Sequence, residues 1–229
     1  MDNYVIDLHK GQISHANSLV LNEVNFQVGP GEFVYLIGKT GSGKTTLLRT
    51  LYGDMHLNEG EGRVAGFDLT KLKTGRIPYL RRKLGIIFQD FQLLTDRNIR
   101  ENLLFVMKAT GWKNPVLMKK RVLEVLRLVQ LDAKDFKMPH ELSGGEQQKV
   151  VIARALINDP HIILADEPTG NLDPQFSDEI LKLLHHISSN GTAVLMATHN
   201  YSLIDKFPAR VVKVENNRLY EIGTTHQSA

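Results

Sequence analysis

The most informative stretch of this chain reads Gly38-Lys39-Thr40-Gly41-Ser42-Gly43-Lys44-Thr45. It matches the phosphate-loop pattern G-x-x-x-x-G-K-[ST] at every fixed position. Glycines let a backbone bend around a phosphate so that its N–H groups point inward, and a helix that follows presents its positive N-terminus to the anion. Lys44 can reach the β and γ phosphates of a nucleotide, and the Thr45 hydroxyl can ligate Mg²⁺. The stretch, extended by Thr46, therefore predicts a nucleotide-binding loop.

The residues on both sides of this loop support the prediction. Phe33 to Ile37 is a continuous apolar run, which is typical of a strand buried on both faces of a parallel sheet. Lys44 to Leu51 has the pattern of a helix, and Gly53 is suited to end it. The plain alternative is a glycine-rich turn that only joins a strand to a helix. The loop by itself indicates an NTPase or a kinase and does not choose between them.

Strand and helix patterns alternate through the rest of the chain. Buried-strand runs recur at His161 to Ala165 and Ala193 to Ala197, and a helical pattern from Gln175 to Ser189 separates them. Such alternation implies crossover connections and a parallel sheet, so we predict an α/β fold. The middle of the chain is helical instead, for example from Val116 to Leu131. We expect residues 90–158 to form a helical insertion in the sheet domain.

Bulk composition limits the possible functions. The 229 residues suit a single domain, 42% of them are apolar, and 23% are charged. A net charge of +3 is too small to indicate a nucleic-acid partner, and the lack of cysteine excludes disulfides and thiolate metal sites. We expect no secretory signal at Met1-Asp2-Asn3-Tyr4 and find no run of about 20 apolar residues, so a membrane role requires a partner.

A second candidate site is formed by two adjacent acids. The stretch His161-Ile162-Ile163-Leu164-Ala165-Asp166-Glu167 is an apolar strand that ends in carboxylates. Ligands of open α/β sheets bind at the carboxyl ends of the strands, so Asp166 is suited to hold Mg²⁺ there. Glu167 can orient or deprotonate a water molecule aimed at a γ phosphate. The alternative is a pair of solvated charges, which the phosphate loop upstream disfavours.

A third motif reads Leu142-Ser143-Gly144-Gly145-Glu146-Gln147-Gln148. Its local interpretation is a capping box, with Ser143 as N-cap and Glu146 three residues later. A capping box does not explain Gly144 and Gly145 in the first turn, because glycine is a poor helix former. Glycines at this point let the phosphate of another molecule approach the backbone N–H groups closely.

This heptad, placed before the Asp166-Glu167 strand, resembles the signature of ABC ATPases. Three further elements follow the order of that family. Gln89, after an apolar run, resembles the Q-loop; Asn171-Leu172-Asp173 resembles the D-loop; and His199, after the strand that ends near Ala197, resembles the switch histidine. A lone glutamine or histidine is more often structural, but five elements in one order extend the resemblance over nearly the whole chain.

The resemblance implies an ABC nucleotide-binding domain with an N-terminal antiparallel β subdomain, and an enzyme that hydrolyses ATP. It also implies a homodimer packed head to tail, in which each ATP lies between one copy's phosphate loop and the other copy's signature helix. Glu167 and His199 are the implied catalytic residues, and Thr45, Gln89 and Asp166 the implied Mg²⁺ ligands. The implied ATP contacts are Gly38, Lys39, Thr40, Gly41, Ser42, Gly43, Lys44, Thr45, Thr46, Gln89, Ser143, Gly144, Gly145, Glu146 and Asp173.

Longer stretches resemble the ABC ATPases that act in bacterial cell division. They are Tyr79-Leu80-Arg81-Arg82-Lys83-Leu84-Gly85, Phe88-Gln89-Asp90-Phe91, Leu94-Thr95-Asp96-Arg97, Met196-Ala197-Thr198-His199 and the run from Leu164 to Pro174. The resemblance implies a peripheral subunit on the cytoplasmic side of the cell membrane, bound to an integral membrane partner. A groove near residues 89–102 would receive a cytoplasmic helix of that partner.

Two other functions remain open. The ATPases of lipoprotein-release and macrolide-export systems share much of the same sequence, and this alternative keeps the ATPase but changes the partner. A soluble ABC protein that acts on DNA or ribosomes belongs to a different class. The sequence disfavours it, because the chain has one phosphate loop and no long coiled-coil insertion.

The chain departs from the family pattern at two places. Glu146 stands where many ABC proteins have glutamine, although the acid is common in this subgroup. The aromatic residue that stacks on adenine would fall near Ser14, which is not aromatic. Tyr4 lies well upstream and His15 can stack only weakly, so the adenine contact stays unassigned.

Overall fold

The computed structural model describes residues 4–16 and 18–222. Met1-Asp2-Asn3, part of the segment tested for a secretory signal, lies outside the described residues. The strands are β1 (Ile6–His15), β2 (Ser18–Val28), β3 (Phe33–Ile37), β4 (Glu59–Val64), β5 (Phe67–Asp68), β6 (Leu84–Ile87), β7 (Ile162–Asp166), β8 (Ala193–Thr198), β9 (Arg210–Glu215) and β10 (Arg218–Ile222). The α-helices are α1 (Lys44–Leu51), α2 (Ile77–Arg81), α3 (Ile99–Ala109), α4 (Pro115–Leu128), α5 (Gly144–Leu156), α6 (Pro174–Ser189) and α7 (Tyr201–Lys206).

The strands form two sheets. One has six strands in the order β10-β9-β3-β8-β7-β6, and all its pairs are parallel except β10 with β9. The other is antiparallel, in the order β2-β1-β4-β5, and uses the N-terminal part of the chain. The predicted parallel sheet and the N-terminal antiparallel β subdomain are both confirmed.

The central strand β3 shows why the apolar run is continuous. Phe33, Tyr35 and Ile37 join the core on the side of α3–α6. The alternate residues, Val34 and Leu36, join the core formed with α1 and the antiparallel sheet. Both faces are therefore covered, as a parallel strand requires. The bounds of β3 and of α1 are those that the sequence predicts.

Other boundaries differ from the prediction by a few residues. The helix predicted from Val116 to Leu131 begins at Pro115 and ends at Leu128. It ends early because Gln130 adopts a left-handed backbone with φ of +61°, which a helix cannot continue through. The strand predicted from His161 to Ala165 is shifted by one residue and includes Asp166.

Helices α3, α4 and α5 lie between β6 and β7 in the chain and pack over one face of the parallel sheet. We retain residues 90–158 as the proposed extent of a helical insertion. In the part of the chain that the structure describes, no helix combines the length and the apolar character needed to cross a bilayer.

Candidate functional site

The order of the parallel sheet gathers four loops at one edge. Strands β3, β8, β7 and β6 are consecutive neighbours and run in the same direction, so their carboxyl ends lie together. The phosphate loop follows β3 and His199 follows β8. Asp166 ends β7 and Glu167 follows it, while Gln89 comes two residues after β6. The structure thus brings these predicted residues to the edge where open α/β sheets bind ligands.

Two glycines allow the phosphate loop to bend as it does. At Gly38 the backbone φ is +151°, and an added Cβ would stand 2.6 Å from the Val214 carbonyl oxygen of β9. At Gly43 the φ is +111°, and an added Cβ would stand 2.9 Å from the Val20 side chain. Gly43 also begins α1 without a side-chain cap, and the first turn of α1 holds no acid. The first N–H groups of α1 are therefore available to an anion.

Polar groups of the loop point to a phosphate ligand. The Lys44 side chain is only 7% exposed, and its Nζ donates to the carbonyl oxygens of Gly38 (2.7 Å) and Lys39 (3.2 Å). The Ser42 Oγ is buried and has no hydrogen-bond partner among the described residues. A buried ammonium that is hydrogen-bonded only to backbone carbonyls of the described residues and an unpaired hydroxyl are both costly in a folded protein. A nucleotide phosphate fits them, because it supplies negative charge and acceptor oxygens.

Asp166 and Thr45 form the oxygen-rich part of the site. Burial raises the pKa of the Asp166 carboxyl, and a hydrogen bond from the Thr45 hydroxyl opposes that shift. No group of three or more His, Cys, Asp or Glu suited to a metal occurs in residues 4–16 and 18–222. Mg²⁺ commonly uses one or two protein oxygens and completes its shell with phosphates and water. The Asp166 carboxylate and the Thr45 hydroxyl fit that requirement.

Glu167 and His199 are joined directly. The Nδ1 of His199 lies 2.8 Å from the Glu167 Oε1, and the side chains are 66% and 13% exposed respectively. Glu167 has a left-handed backbone with φ of +48°, which is uncommon for a residue with a Cβ. Its N–H donates to the Ala197 carbonyl at 3.0 Å, which fixes the residue between β7 and β8. The arrangement holds a carboxylate at the sheet edge, with a histidine orienting it.

The Q-loop is fixed by two long-range contacts. The Asn171 side-chain amide donates to the Gln89 carbonyl at 3.1 Å, which links the Q-loop to the D-loop. Arg154 of α5 donates to the carbonyls of Phe91 (3.0 Å) and Gln92 (2.5 Å). Burial lowers the pKa of the Arg154 guanidinium. Sequence reasoning missed Arg154, although one arginine within the apolar run of α5 is a visible signal.

The signature motif has the predicted capping box. The Ser143 Oγ accepts from the Glu146 N–H, and the Glu146 carboxylate accepts from the Ser143 N–H at 2.9 Å. Lys134 also pairs with Glu146, and these contacts hold the pKa of the Glu146 carboxyl below its usual value, Lys134 having the largest effect. The first turn of α5 is thus stabilised within the chain by an acid.

Glycine is required at positions 144 and 145 of the signature for different reasons. A Cβ at Gly145 would stand 2.3 Å from the ring of Phe176, so packing alone requires glycine there. A Cβ at Gly144 would meet only ordinary contacts, 3.6 Å from Leu172 and 3.8 Å from Phe91. Close approach of a phosphate is therefore needed to explain the glycine only at Gly144. Packing accounts for Gly145 independently.

The predicted residues form two clusters in one chain. The first, the sheet-edge cluster, consists of the phosphate loop, Gln89, Asp166, Glu167 and His199. In the second, the signature turn packs on the segment of Leu172 and Phe176, and Asp173 caps α6 by accepting from the Gln175 (3.0 Å) and Phe176 (3.1 Å) N–H groups. Ser14 lies within β1, paired with Leu19, and its N–H donates to the Asn58 side chain at 2.8 Å.

Sequence comparison assigns the class of this protein. The sequence model of the ABC transporter family matches residues 21–170, which include the phosphate loop, the Q-loop, the signature and the Asp166-Glu167 pair. The chain belongs to the ABC transporter family, and it is an ATPase subunit of that family.

Curated relatives narrow the resemblance. The chain is 47% identical over 199 residues to the cell division ATP-binding protein FtsE of Streptococcus pneumoniae, covering 87% of this chain and 86% of the relative. It is 41% identical over 207 residues to the cell division ATP-binding protein FtsE of Escherichia coli, covering 90% and 92% respectively. The resemblance to cell-division ABC ATPases is confirmed.

Solved structures agree with the fold. The dimeric structure of MJ0796, described as a bacterial ABC transporter cassette, has a TM-score of 0.82 and 31% identity, covering 95% of this chain and 97% of the other. A dimer of MJ0796 bound to ADP and Pi has a TM-score of 0.79 at the same identity and coverage. CbiO1 of Clostridium perfringens, part of the ABC transporter complex cbiONQ, has a TM-score of 0.86 and 26% identity, covering 95% and 87%.

Proposed function

We propose that this chain hydrolyses ATP between two copies of itself and uses the resulting opening and closing to drive a membrane partner in cell division. The observation that carries the proposal is the sheet-edge cluster, in which Glu167 is held by His199 beside a phosphate loop. The FtsE relatives support the cell-division role. The MJ0796 dimers support the pairing of two copies.

The phosphate loop binds the nucleotide in this proposal. Residues 38–46 surround the β and γ phosphates with N–H groups, and the Lys44 ammonium offsets their charge. Lys44 is buried and already directed at the loop by its bonds to two carbonyls, so little side-chain freedom is lost when ATP binds.

The Thr45 hydroxyl, the Asp166 carboxylate and the Gln89 side chain are the proposed Mg²⁺ ligands. When bound there, Mg²⁺ would offset part of the phosphate charge. The burial that raises the pKa of Asp166 makes its ionised form unfavourable without a nearby cation.

Glu167 is the proposed catalytic base and His199 its partner. The Glu167 carboxylate orients a water molecule in line with the γ phosphate and accepts its proton as the oxygen–phosphorus bond forms. The bond from phosphorus to the β–γ bridging oxygen breaks, and ADP leaves with that electron pair. His199 keeps the Glu167 carboxylate in one orientation through its contact with Oε1.

The second cluster completes the site of the other copy. Ser143, the Gly144 and Gly145 N–H groups and Glu146 face the γ phosphate held by the partner's loop, and Asp173 lies at the interface. Hydrolysis removes the phosphate that bridges the copies, so turnover becomes a cycle of closing and opening.

The proposed docking site for the membrane partner is a groove of about 460 Å³ between α2, β6, α3 and α5. Of the range 89–102 that the sequence resemblance implied, only Gln92 lines this groove. Its lining includes Phe88, Gln92, Val106, Ala109 and Arg154. Arg154 ties this groove to the Q-loop, so a helix pressed into it can act on Gln89. We propose an integral membrane protein resembling FtsX as the occupant, with this chain peripheral on the cytoplasmic face of the cell membrane.

An export function is the second candidate. The ATPase of a lipoprotein-release or macrolide-type system would use the same site and groove with a different membrane partner. The membership of CbiO1 in a transporter complex keeps this candidate open.

A pull-down from detergent-solubilised membranes tests the proposal. The bait is the wild-type chain, with Ala109→Glu in the groove and Ala133→Glu outside it as a matched control, since both alanines are exposed. We expect wild type and the control to retain one integral membrane protein and the groove variant to lose it. Mass identification of an FtsX-like protein supports cell division and an exporter supports the second candidate. Equal retention by Ala109→Glu contradicts the docking site.

A further inference from the structure

The hairpin of α3 and α4 is unusually basic. No acidic residue occurs between Glu101 and Glu124. The same segment carries five basic residues, which are Lys108, Lys113, Lys119, Lys120 and Arg121. Arg121 is used within the fold, where it donates to the Leu156 and Ile157 carbonyls. The four lysines are exposed, and only Lys120 has a carboxylate near it among the described residues, Glu124 at 3.9 Å.

Apolar side chains are exposed at the tip of the same hairpin. Val116 is 76% exposed and Leu117 is 53% exposed, and both lie in the first turn of α4. Lys113 precedes them and Lys119 follows them. An exposed aliphatic pair among lysines is costly in water, and it is the composition of segments that lie at the surface of an anionic bilayer.

A cleft adjoins this tip between α3 and α4. Its volume is about 520 Å³, and its wall includes the apolar side chains of Leu104, Trp112, Met118 and Val122. Lys108, Lys113 and Lys119 line it as well. Its one lining carboxylate, Asp135, is paired with Arg100, which also lines the cleft. The rim therefore offers three lysine charges that no carboxylate of the described residues neutralises.

These observations agree on the chemistry of the occupant. An apolar cleft with cationic groups at its rim matches an amphiphile with an anionic head and a hydrocarbon tail. We propose that the α3–α4 hairpin binds acidic phospholipid directly, with the lysines on the headgroups and Val116 and Leu117 in the acyl boundary.

The place of the hairpin beside the groove makes a bilayer the source of this ligand. Helix α3 separates the two: its residues Leu104 and Lys108 line the cleft, while Val106 and Ala109 line the groove. The Trp112 indole N–H donates to the Asn158 side chain at 2.9 Å, and Asn158 lines the groove. This step rests on the proposed membrane partner, whereas the lipid chemistry of the hairpin does not.

The experiment uses the full chain without any membrane partner. Vesicles of phosphatidylcholine alone are compared with vesicles of phosphatidylcholine and phosphatidylglycerol in equal parts. Trp112 is the single tryptophan of the chain and lines the cleft, so its fluorescence reports binding at this place. We expect cosedimentation with the anionic vesicles only, a blue shift of the emission, and quenching by lipids with brominated acyl chains.

Two variants and a control assign the binding. Lys119→Glu/Lys120→Glu should weaken binding to anionic vesicles by at least about twenty-five-fold, since each basic group at such a surface strengthens binding roughly five-fold. Val116→Ser/Leu117→Ser should keep salt-sensitive binding but lose the brominated-lipid quenching. Lys10→Glu/Lys182→Glu changes the net charge equally at exposed positions elsewhere and should bind as wild type does. ATP hydrolysis without vesicles verifies that each variant is folded.

Three results would overturn the inference. They are wild-type binding to neither vesicle, equal binding to both vesicles, and equal loss in the Lys10→Glu/Lys182→Glu control. None of these results affects the ATPase or the pull-down, so this inference and the proposed function can fail separately.

Discussion

Two helices of this chain begin at glycines that we assign to ATP, and their first turns are built differently. Helix α1 begins after Gly43 without a side-chain cap and without an acid. Helix α5 begins behind Ser143 with a complete capping box, in which Glu146 brings a carboxylate to the helix N-terminus. The pKa of that carboxylate is lowered, so it is charged at neutral pH.

The difference indicates how tightly each helix start can hold a phosphate. An uncapped positive end next to a buried lysine attracts an anion strongly. A capped end that already holds a carboxylate attracts it weakly, even with Lys134 offsetting part of the charge. We therefore expect the start of α1 to bind phosphate more tightly than the start of α5 does. A dimer that closes on ATP and reopens after hydrolysis needs one tight and one weaker phosphate-binding site.

The largest effect is expected at the start of α1, where phosphate binding is stronger. Lys44→Ala removes the buried ammonium that faces the phosphates, and ATP hydrolysis should fall about a thousand-fold or more. Steady-state phosphate release measures it, with Lys71→Ala, on the surface outside the loop, as the control. Near-normal turnover by Lys44→Ala would break the distinction between the two helix starts.

The next effect separates binding from chemistry. Glu167→Gln keeps the loop and both helix starts but removes the proposed base, so hydrolysis should fall about a hundred- to ten-thousand-fold while ATP still binds. The variant should accumulate as a dimer in sedimentation with ATP and Mg²⁺. Glu141→Gln, at an exposed position ahead of the signature, is the control. A purely monomeric Glu167→Gln protein with ATP bound would contradict the account.

A smaller effect is expected at the start of α5, where phosphate binding is weaker. Ser143→Ala removes an N-cap, which costs about 1 kcal/mol of stability, and it should weaken ATP-dependent dimerisation. ATP binding to the isolated chain should not change, because α1 is intact. Asn98→Ala removes an equivalent capping box from α3 and serves as the matched control for stability. If both variants dimerise equally with ATP, Ser143 has only a structural role.

The smallest effect concerns Asp166. Burial raises its pKa above the usual 3.8, so the ionised carboxylate destabilises the folded chain when no cation is bound. That cost is complete above the folded-state pKa, decreases as pH falls below it, and is absent below the usual value of 3.8. Asp166→Asn should therefore raise the Tm at neutral pH without nucleotide or Mg²⁺, whereas Asp132→Asn, on the surface, should not. A lower Tm for Asp166→Asn would show that its contacts outweigh its desolvation.

Local pattern was sufficient for much of the fold. The bounds of β3 and α1 follow from a run of apolar residues and a loop motif, because both signals lie within the segments themselves. The same is true of the capping box at Ser143. Each of these features is determined by residues only a few positions away in the sequence.

Features that depend on distant contacts were not accessible from the sequence alone. The reason for Gly145 is the ring of Phe176, which another helix brings to it. Arg154 stands out in the apolar run of α5, but its partners are backbone carbonyls of a distant segment, which the sequence does not identify. The contact of Glu167 with His199 depends on β7 lying next to β8, and the order of strands is a property of the whole sheet.

The central claim is that one ATP is held by the loop of one copy and by Ser143 of another, and mixing two inactive variants tests it most directly. Lys44→Ala has an intact signature, and Ser143→Arg has an intact phosphate loop. In a head-to-tail pair the two supply one complete site, so the mixture should hydrolyse ATP although neither protein does so alone. A mixture as inactive as its components, or full activity of Ser143→Arg by itself, would contradict the claim.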